Sequence, residues 1–306
     1  MTVIRGLEKL TPDFEHAAVA VGVFDGVHWG HRAIFERLVD VARESDIAPV
    51  ALTFDKHPAE LLVPEMAPPY ITTLDQRIEL IQASDVDRII IVEFDLALAE
   101  LSPEEFLRNV IRGTLRARHV VVGSNFQFGK GRKGNIRYLA SAAPALGLGV
   151  SVVPSVIVAG APVSSTRVRT LIARGDVADA SKLLGRRFAL RGTVVPGDRV
   201  GRSLGFPTAN IQTAPRQLVP AHGVYAVEVP VSGSTYGGLC YIGTRPTFGG
   251  QKESVEVHLM GYQGDLYGST LDVIFARRLR DDMVFESPDK LVEQIKRDLE
   301  RVSGDG

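Results

Sequence analysis

The stretch Gly22-Val23-Phe24-Asp25-Gly26-Val27-His28-Trp29-Gly30-His31 sets two imidazoles among glycines, where an apolar run from Ala17 to Phe24 gives way to a helical pattern. Beyond His31, the residues Ile34, Leu38 and Val41 fall at i, i+4 and i+7, which predicts an amphipathic helix with one apolar stripe. Gly22, Gly26 and Gly30 let the backbone approach a ligand closely, and a helix start offers unpaired N–H groups and the positive end of a dipole. The chemistry predicted there is anion binding. His28 and His31 could each donate a charge-assisted hydrogen bond to a phosphate oxygen. Two ordinary histidines beside a tight turn would read the same way, and a zinc site lacks the nearby ligands to complete four.

Further polar segments sit where strands should end. Thr53-Phe54-Asp55-Lys56-His57-Pro58 is one, and Gly123-Ser124-Asn125-Phe126-Gln127-Phe128-Gly129 is another, running into the basic stretch Lys130 to Gly134. Gly129, Gly131 and Gly134 formally satisfy a dinucleotide fingerprint, but no acidic residue stands about 20 positions further on. Asn135 follows Gly134 where a P-loop needs lysine. Lys130, Arg132 and Lys133 then form either a solvated basic loop or a mobile flap that neutralises phosphates. Ser164-Ser165-Thr166-Arg167 opens a helix; its hydroxyls can cap that helix or, beside a nucleotide, grip a phosphate.

A second glycine-rich stretch runs from Gly197 to Asn210 and includes Asp198, Arg199, Gly201, Arg202, Ser203, Gly205, Phe206, Pro207 and Thr208. Such a loop is a plain hairpin connection or a phosphate cradle in which Thr208 and Asn210 offer oxygens to a divalent ion. Downstream, strand periodicity puts Glu256 and His258 on one face and Val255, Val257 and Leu259 on the other. Glu256 is then either an exposed strand glutamate or a carboxylate able to take a hydroxyl proton in phosphoryl transfer.

The positioning elements follow from pattern. Five apolar runs, Ala17 to Phe24, Pro49 to Phe54, Arg88 to Val92, His119 to Val122 and Gly149 to Val153, alternate with helical segments and predict a parallel sheet covered on both faces. Thr73 with Gln76, and Ser102 with Glu105 behind Pro103, are capping-box patterns. After Gly185 to Arg187 the character changes. Runs at Phe188 to Val194, Gly223 to Val229, Gly237 to Gly243, Ser254 to Met260 and Thr270 to Phe275, with a hairpin turn at Ser232-Gly233, predict an antiparallel barrel. A last helix begins at Ser287-Pro288, with Leu291, Ile295 and Leu299 on its apolar face.

The 306 residues favour two domains, and the 45% hydrophobic content suffices for two cores. A net charge of −1 argues against a generally basic nucleic-acid-binding surface. Cys240 is the only cysteine, which excludes an intramolecular disulfide and suits a reducing cytosol. The first residues lack the apolar region of a secretory signal, so a cytoplasmic location is expected. From Tyr138 to Thr166 no residue is charged, yet prolines and glycines break the stretch, so no membrane span is expected.

The glycine–histidine stretch resembles the HxGH signature of nucleotidyltransferases and, in its longer form GxFDGxHxGH, the first half of bacterial bifunctional riboflavin kinase/FMN adenylyltransferases. The resemblance continues through Gly123 to Gly134, through Ser164-Ser165-Thr166, through the PTAN motif at Pro207 to Asn210, and through Glu256-Val257-His258 ahead of Asp265-Leu266-Tyr267-Gly268. Leu279-Arg280 and Phe285 resemble the family's LRxxxxF segment, and Pro162 stands where some members carry an arginine. It implies a Rossmann-like nucleotidyltransferase domain over residues 1–184 and an antiparallel β-barrel riboflavin kinase domain with a terminal helix over 185–306. In the first domain it implies catalytic roles for His28 and His31, and ATP contacts from Gly22, Phe24, Asp25, Gly30, Ser164, Ser165, Thr166 and Arg167. Flavin contacts there fall to Phe54, Asn125, Phe126 and Phe128.

In the second domain the resemblance implies Glu256 as base, ATP contacts from Gly201, Gly205, Pro207, Thr208 and Asn210, and a flavin contact from Arg280. Thr208 and Asn210 would hold Mg²⁺ brought with ATP. Riboflavin, FMN and ATP are the implied small-molecule partners, with FMN and FAD as substrate and product rather than prosthetic groups. Three rival readings are a different nucleotidyltransferase, which leaves the PTAN motif without purpose, an enzyme retaining one activity, and a flavin-binding sensor without turnover.

Overall fold

The apolar runs of the first half assemble side by side, the central ones largely buried on both faces and the last, Gly149 to Val153, only partly covered at the sheet edge. The computed structural model describes residues 2–10, 16–197, 201, 204–247 and 250–303. Its N-terminal strands are β1 (Thr2–Arg5), β2 (Ala17–Val21), β3 (Ala48–Phe54), β4 (Arg88–Val92), β5 (Ala117–Gly123), β6 (Gln127–Phe128), β7 (Gly134–Asn135), β8 (Gly149–Val153), β9 (Ile157–Val158) and β10 (Ala161–Pro162). Six of them form a parallel sheet in the order β1-β4-β3-β2-β5-β8, and β6/β7 and β9/β10 are separate antiparallel pairs.

Central β2 shows the logic of the sheet. Ala17 and Val19 enter one core with Leu52, Ile90 and Val120, while Ala18 and Ala20 enter the other with Ala51, Ile89 and Val121. The second core is closed by helix α1 (Trp29–Ser45), which contributes Ile34, Phe35, Leu38 and Val41, the predicted apolar stripe. Each such side chain withdrawn from water contributes roughly 1.5–3 kcal/mol before entropy is counted.

Several boundaries differ from the expectation. Strand β2 stops at Val21, not Phe24, because Phe24 takes a left-handed φ of 53° and starts the turn. Edge strand β1 goes unpredicted, being four residues of mixed polarity with only one neighbour, β4. The Ser102–Glu105 capping box forms, with Glu105 N–H donating to Ser102 Oγ at 3.2 Å and Ser102 N–H donating to Glu105 Oε2 at 2.8 Å. The helix beyond it, Phe106–Thr114, is wound as a π-helix. The uncharged stretch from Tyr138 is divided among a helix, a 3₁₀ turn, β8 and the β9/β10 hairpin, and among the described residues no helix is long and apolar enough to cross a membrane.

The second half closes into a six-stranded antiparallel barrel of β11 (Ala189–Val195), β12 (Ala209–Thr213), β13 (Gly223–Val231), β14 (Ser234–Thr247), β15 (Gly250–Leu259) and β16 (Thr270–Arg280), ordered β11-β12-β15-β14-β13-β16. The predicted Ser232-Gly233 turn joins β13 to β14 with φ of 49° and 85°, the doubly left-handed geometry that matches strand twist. Helix Pro288–Ser303 lays Ile295 and Leu299 against Val224, Ala226, Leu239 and Leu279. The chain divides into two compact units, Met1–Pro68 with Leu74–Ser164, and Pro69–Thr73 with Ser165–Gly306. Helices Ser165–Arg174 and Val177–Leu184, separated by Gly175, belong to the second.

Candidate active sites

In the N-terminal unit the histidine pair sits where β2 hands the chain to α1. Phe24, Gly26 and Val27 adopt φ of 53°, 83° and 38°, a tight left-handed path that delivers His28 to the helix as its N-cap residue. His28 Nδ1 accepts from His31 N–H at 3.4 Å, which leaves the proton on Nε2, the tautomer able to donate to a phosphate oxygen. The two rings stack with centroids 3.7 Å apart, and Phe24 packs edge-on against His31 at 5.4 Å. Gly30 permits this stack, since a Cβ there would stand 3.1 Å from the His28 ring. His28, Phe24 and Asp25 are buried, and Gly22 N–H donates to Leu52 O at 3.1 Å, tying the start of the turn to β3.

The predicted flavin residues divide by environment. Phe128 is in the core with Phe106, Leu107 and Leu139, Phe126 stacks on it at 5.2 Å and is only partly covered, and Asn125 is exposed. Phe54 ends β3, buried and edge-on to Phe94 at 5.5 Å. Asp55 Oδ1 accepts the N–H groups of Lys56 and Phe94 at 2.8 and 2.9 Å, and His57 caps the short helix Pro58–Leu62. Lys130 is tied by an ion pair to Glu100 and by its N–H to Leu101 O at 2.7 Å, whereas Arg132 and Lys133 are exposed. A cavity of about 540 Å³ reaches Asp55, Val92, Leu98 and Leu101, and one of about 680 Å³ lies over Val3, Arg5 and Asp75; neither is lined by the histidines. Ser164 closes the first unit, and Ser165, Thr166 and Arg167 form the first turn of a helix grouped with the second.

In the barrel, β12 and β15 run antiparallel with Asn210 directly opposite Glu256. Glu256 is buried, and two hydroxyls hold its carboxylate: Thr208 Oγ1 donates to Oε2 and Ser254 Oγ to Oε1, each at 3.2 Å. Val255, Val257 and Leu259 face the barrel core as the alternation predicts. Pro207 O is 2.9 Å from His258 Nδ1, pinning the motif to the same face of β15. Gly201 O accepts the N–H groups of Phe206 and Leu204 at 2.8 and 3.2 Å, and Gly205 turns with φ of 86°. Asp198, Arg199, Arg202 and Ser203 of this stretch lie outside the described residues. Burial, and then the charge of Glu256, push the Cys240 thiol upward, so it stays protonated.

Arg280 pairs with the C-terminal helix. Its Nε donates to Asp298 Oδ2 at 2.9 Å, and Gln294 Nε2 donates to the other carboxylate oxygen at 2.9 Å, so the guanidinium ties β16 to the C-terminal helix. Its Nη1 donates to Asp281 O at 3.1 Å, and the Phe285 ring lies 5.7 Å from the guanidinium carbon. Pattern reasoning missed Ser254, whose strand position two residues before Glu256 was the available signal, and Asp298, which reads as one more polar residue of a surface helix.

A parallel α/β unit presenting imidazoles at a helix start, in one chain with a closed barrel that seats a glutamate under two hydroxyls, defines a two-domain transferase that handles nucleotides. The family model described as FAD synthetase matches residues 10–167, and that described as riboflavin kinase matches residues 184–304. The chain is 37% identical to the bifunctional riboflavin kinase/FMN adenylyltransferase of Escherichia coli K12 over 300 residues, covering 97% of this chain and 96% of that one. It is 34% identical to the enzyme of the same description from Bacillus subtilis, covering 92% and 90%. The chain belongs to the bifunctional riboflavin kinase/FMN adenylyltransferase family. A crystal structure described as a macrolide-efflux protein from Streptococcus pneumoniae matches it with a TM-score of 0.89 at 32% identity, covering 98% of both chains.

Proposed function

We propose that this chain makes FAD in two steps, phosphorylating riboflavin in the barrel and adenylylating FMN in the N-terminal domain, with the functional boundary at residues 184 and 185. The observation that carries this reading is the presence of two separate polar sites, the stacked His28–His31 pair and the Thr208–Glu256–Ser254 cluster, each placed on a family motif.

In the barrel, the riboflavin 5′-hydroxyl oxygen attacks the γ-phosphorus of ATP, its proton passes to the Glu256 carboxylate, and ADP leaves. The residues present fit a hard divalent ion: Thr208 offers a hydroxyl oxygen, and Asn210 an amide oxygen opposite Glu256. Among the described residues no three His, Cys, Asp or Glu side chains cluster, so Mg²⁺ would be held by these oxygens together with the phosphates of ATP. When bound, the ion offsets phosphate charge. Gly201, Gly205 and Pro207 shape the loop that meets ATP. Arg280 serves as an anchor of the barrel, tying β16 to the C-terminal helix beside Phe285 and leaving the flavin to other groups.

In the N-terminal domain, an FMN phosphate oxygen attacks the α-phosphorus of ATP, the bond to the β-phosphate bridge breaks, and pyrophosphate leaves. FMN already carries an ionised nucleophile, so alignment and charge neutralisation do the work. His28 donates from Nε2, His31 stacks on it, and Gly22, Phe24, Asp25 and Gly30 form the turn beneath the phosphates. By the resemblance of their motif, Ser164, Ser165, Thr166 and Arg167 grip the triphosphate, and Phe54, Asn125, Phe126 and Phe128 meet the flavin. A cytoplasmic enzyme of small-molecule substrates suits the single cysteine.

Incubation with riboflavin, ATP and Mg²⁺, followed by chromatographic separation of flavins, tests the reading. FMN should accumulate first and FAD follow. Arrest at FMN would refute the second activity, and the absence of both products would mark a flavin-binding sensor.

A further inference from the structure

Helix Leu74–Gln82 carries Arg77, an arginine with 1% of its surface exposed and no part in the chemistry described above. Arginine is rarely buried so completely unless it is paired; in Arg77 the two terminal nitrogens carry the contacts, while Nε is buried with no hydrogen-bond partner among the described residues. Its Nη1 donates to Val23 O at 2.7 Å and its Nη2 donates to Phe54 O at 2.7 Å. Thr53 Oγ1 donates to the same Val23 carbonyl at 3.0 Å. Val23 follows the end of β2 and Phe54 closes β3, so one planar guanidinium ties together the carboxyl ends of two adjacent parallel strands, the end of an α/β sheet at which ligands bind. Burial lowers the Arg77 pKa, and the negative charges of Asp25 and Asp55 oppose that shift.

The turn that begins at Val23 is the one requiring support. Phe24 and Val27 hold φ of 53° and 38°, and residues in such conformations cost of order 1–3 kcal/mol each and persist only where their surroundings over-determine them. Val23 O is the last backbone group before Phe24, and it carries two donors, one of them charged. We infer that Arg77 is a positioning residue for adenylylation: it clamps the start of the turn between β2 and α1, and thereby fixes His28 and His31 against the reacting phosphates. The inference rests on the adenylylation reading given above. Arg77 touches neither histidine, so it acts through backbone placement. A lysine would preserve the charge while offering a single point donor that cannot span both carbonyls.

The test is Arg77→Lys in the full chain, with Arg77→Met beside it, assayed for both activities. Misplacement of about 1 Å can cost on the order of 10²-fold in rate. The expected result is therefore an adenylylation kcat at least about tenfold lower in Arg77→Lys and lower still in Arg77→Met, with KM for ATP and FMN within about threefold. Kinase kcat of the same Arg77→Lys preparation should stay within about twofold of wild type, because the barrel residues are untouched. The inference is overturned if Arg77→Lys melts at lower temperature yet keeps its adenylylation kcat, if only KM rises, or if kinase activity falls in step. Wild-type chain that forms no FAD from FMN and ATP would refute the adenylylation reading and this role together. Wild-type turnover with an unaffected Arg77→Lys would refute this role alone.

Discussion

Replacing Asp298 by alanine separates an anchoring role of Arg280 from a direct one. The Asp298 side chain is 1% exposed and that of Arg280 15%, and their ion pair is completed by Gln294, so the interaction is buried and hydrogen-bonded on both carboxylate oxygens. Removing one member of such a pair leaves the other charge uncompensated and costs about 3–5 kcal/mol. Domain stabilities run about 5–15 kcal/mol, so the loss is a large share of what holds the barrel. It should appear as a fall of roughly 10 °C in the barrel transition. The two units can be followed separately. Trp29, the sole tryptophan, reports on the first, whereas six of the seven tyrosines, all but Tyr138, are in the second and dominate the tyrosine signal. Urea or thermal unfolding monitored by tyrosine signal should shift strongly in Asp298→Ala while the Trp29 transition stays in place. At a temperature where the variant is folded, kinase KM for riboflavin should change less than about threefold. A barrel shifted by under about 1 kcal/mol, with KM for riboflavin raised about tenfold or more, would refute the reasoning and assign Arg280 to the flavin.

Two further outcomes follow from the N-terminal unit. His28→Ala should lower adenylylation about 10²- to 10³-fold, the scale of losing one preorganised donor to a developing charge, with kinase turnover intact; unchanged FAD formation would remove His28 from the mechanism. His119, half-buried with Nε2 2.9 Å from Ser151 Oγ, has its pKa lowered below 6.5 by burial and next by Arg37, with Glu44 opposing. A depressed histidine contributes stability that is present above its unfolded pKa and is lost as pH falls through the folded value. Thermal melts followed at Trp29 should therefore lose less stability between pH 7 and 5 in His119→Gln than in wild type, and identical slopes would contradict this.

The parallel sheet and α1 were legible because burial on two faces writes continuous apolar runs, and burial on one writes the Ile34, Leu38, Val41 stripe. Strand β12 was not, because it is only five residues long, buries Ile211 alone, and begins inside the polar PTAN motif, with Asn210 as its second residue. The histidine pair was visible as spacing, yet its stacking and its tautomer depend on the left-handed path through Phe24 and Val27, which no propensity favours. Arg77 and Asp298 look like surface charges on amphipathic helices. Only the packing shows that they are buried, since a helix face polar in composition can still turn a paired charge inward. Arg280 was legible as a motif position but not as the partner of Asp298, 18 residues away on another element.

Glu256→Gln supplies the most direct measurement. The substitution keeps the size of the side chain and a carbonyl oxygen for Thr208 or Ser254, and removes the carboxylate that takes the proton. Given riboflavin, ATP and Mg²⁺, the variant should form neither FMN nor FAD, and given FMN in place of riboflavin it should form FAD at the wild-type rate. FMN formation from riboflavin at an undiminished rate, or loss of FAD formation from supplied FMN, would contradict two independent sites on one chain.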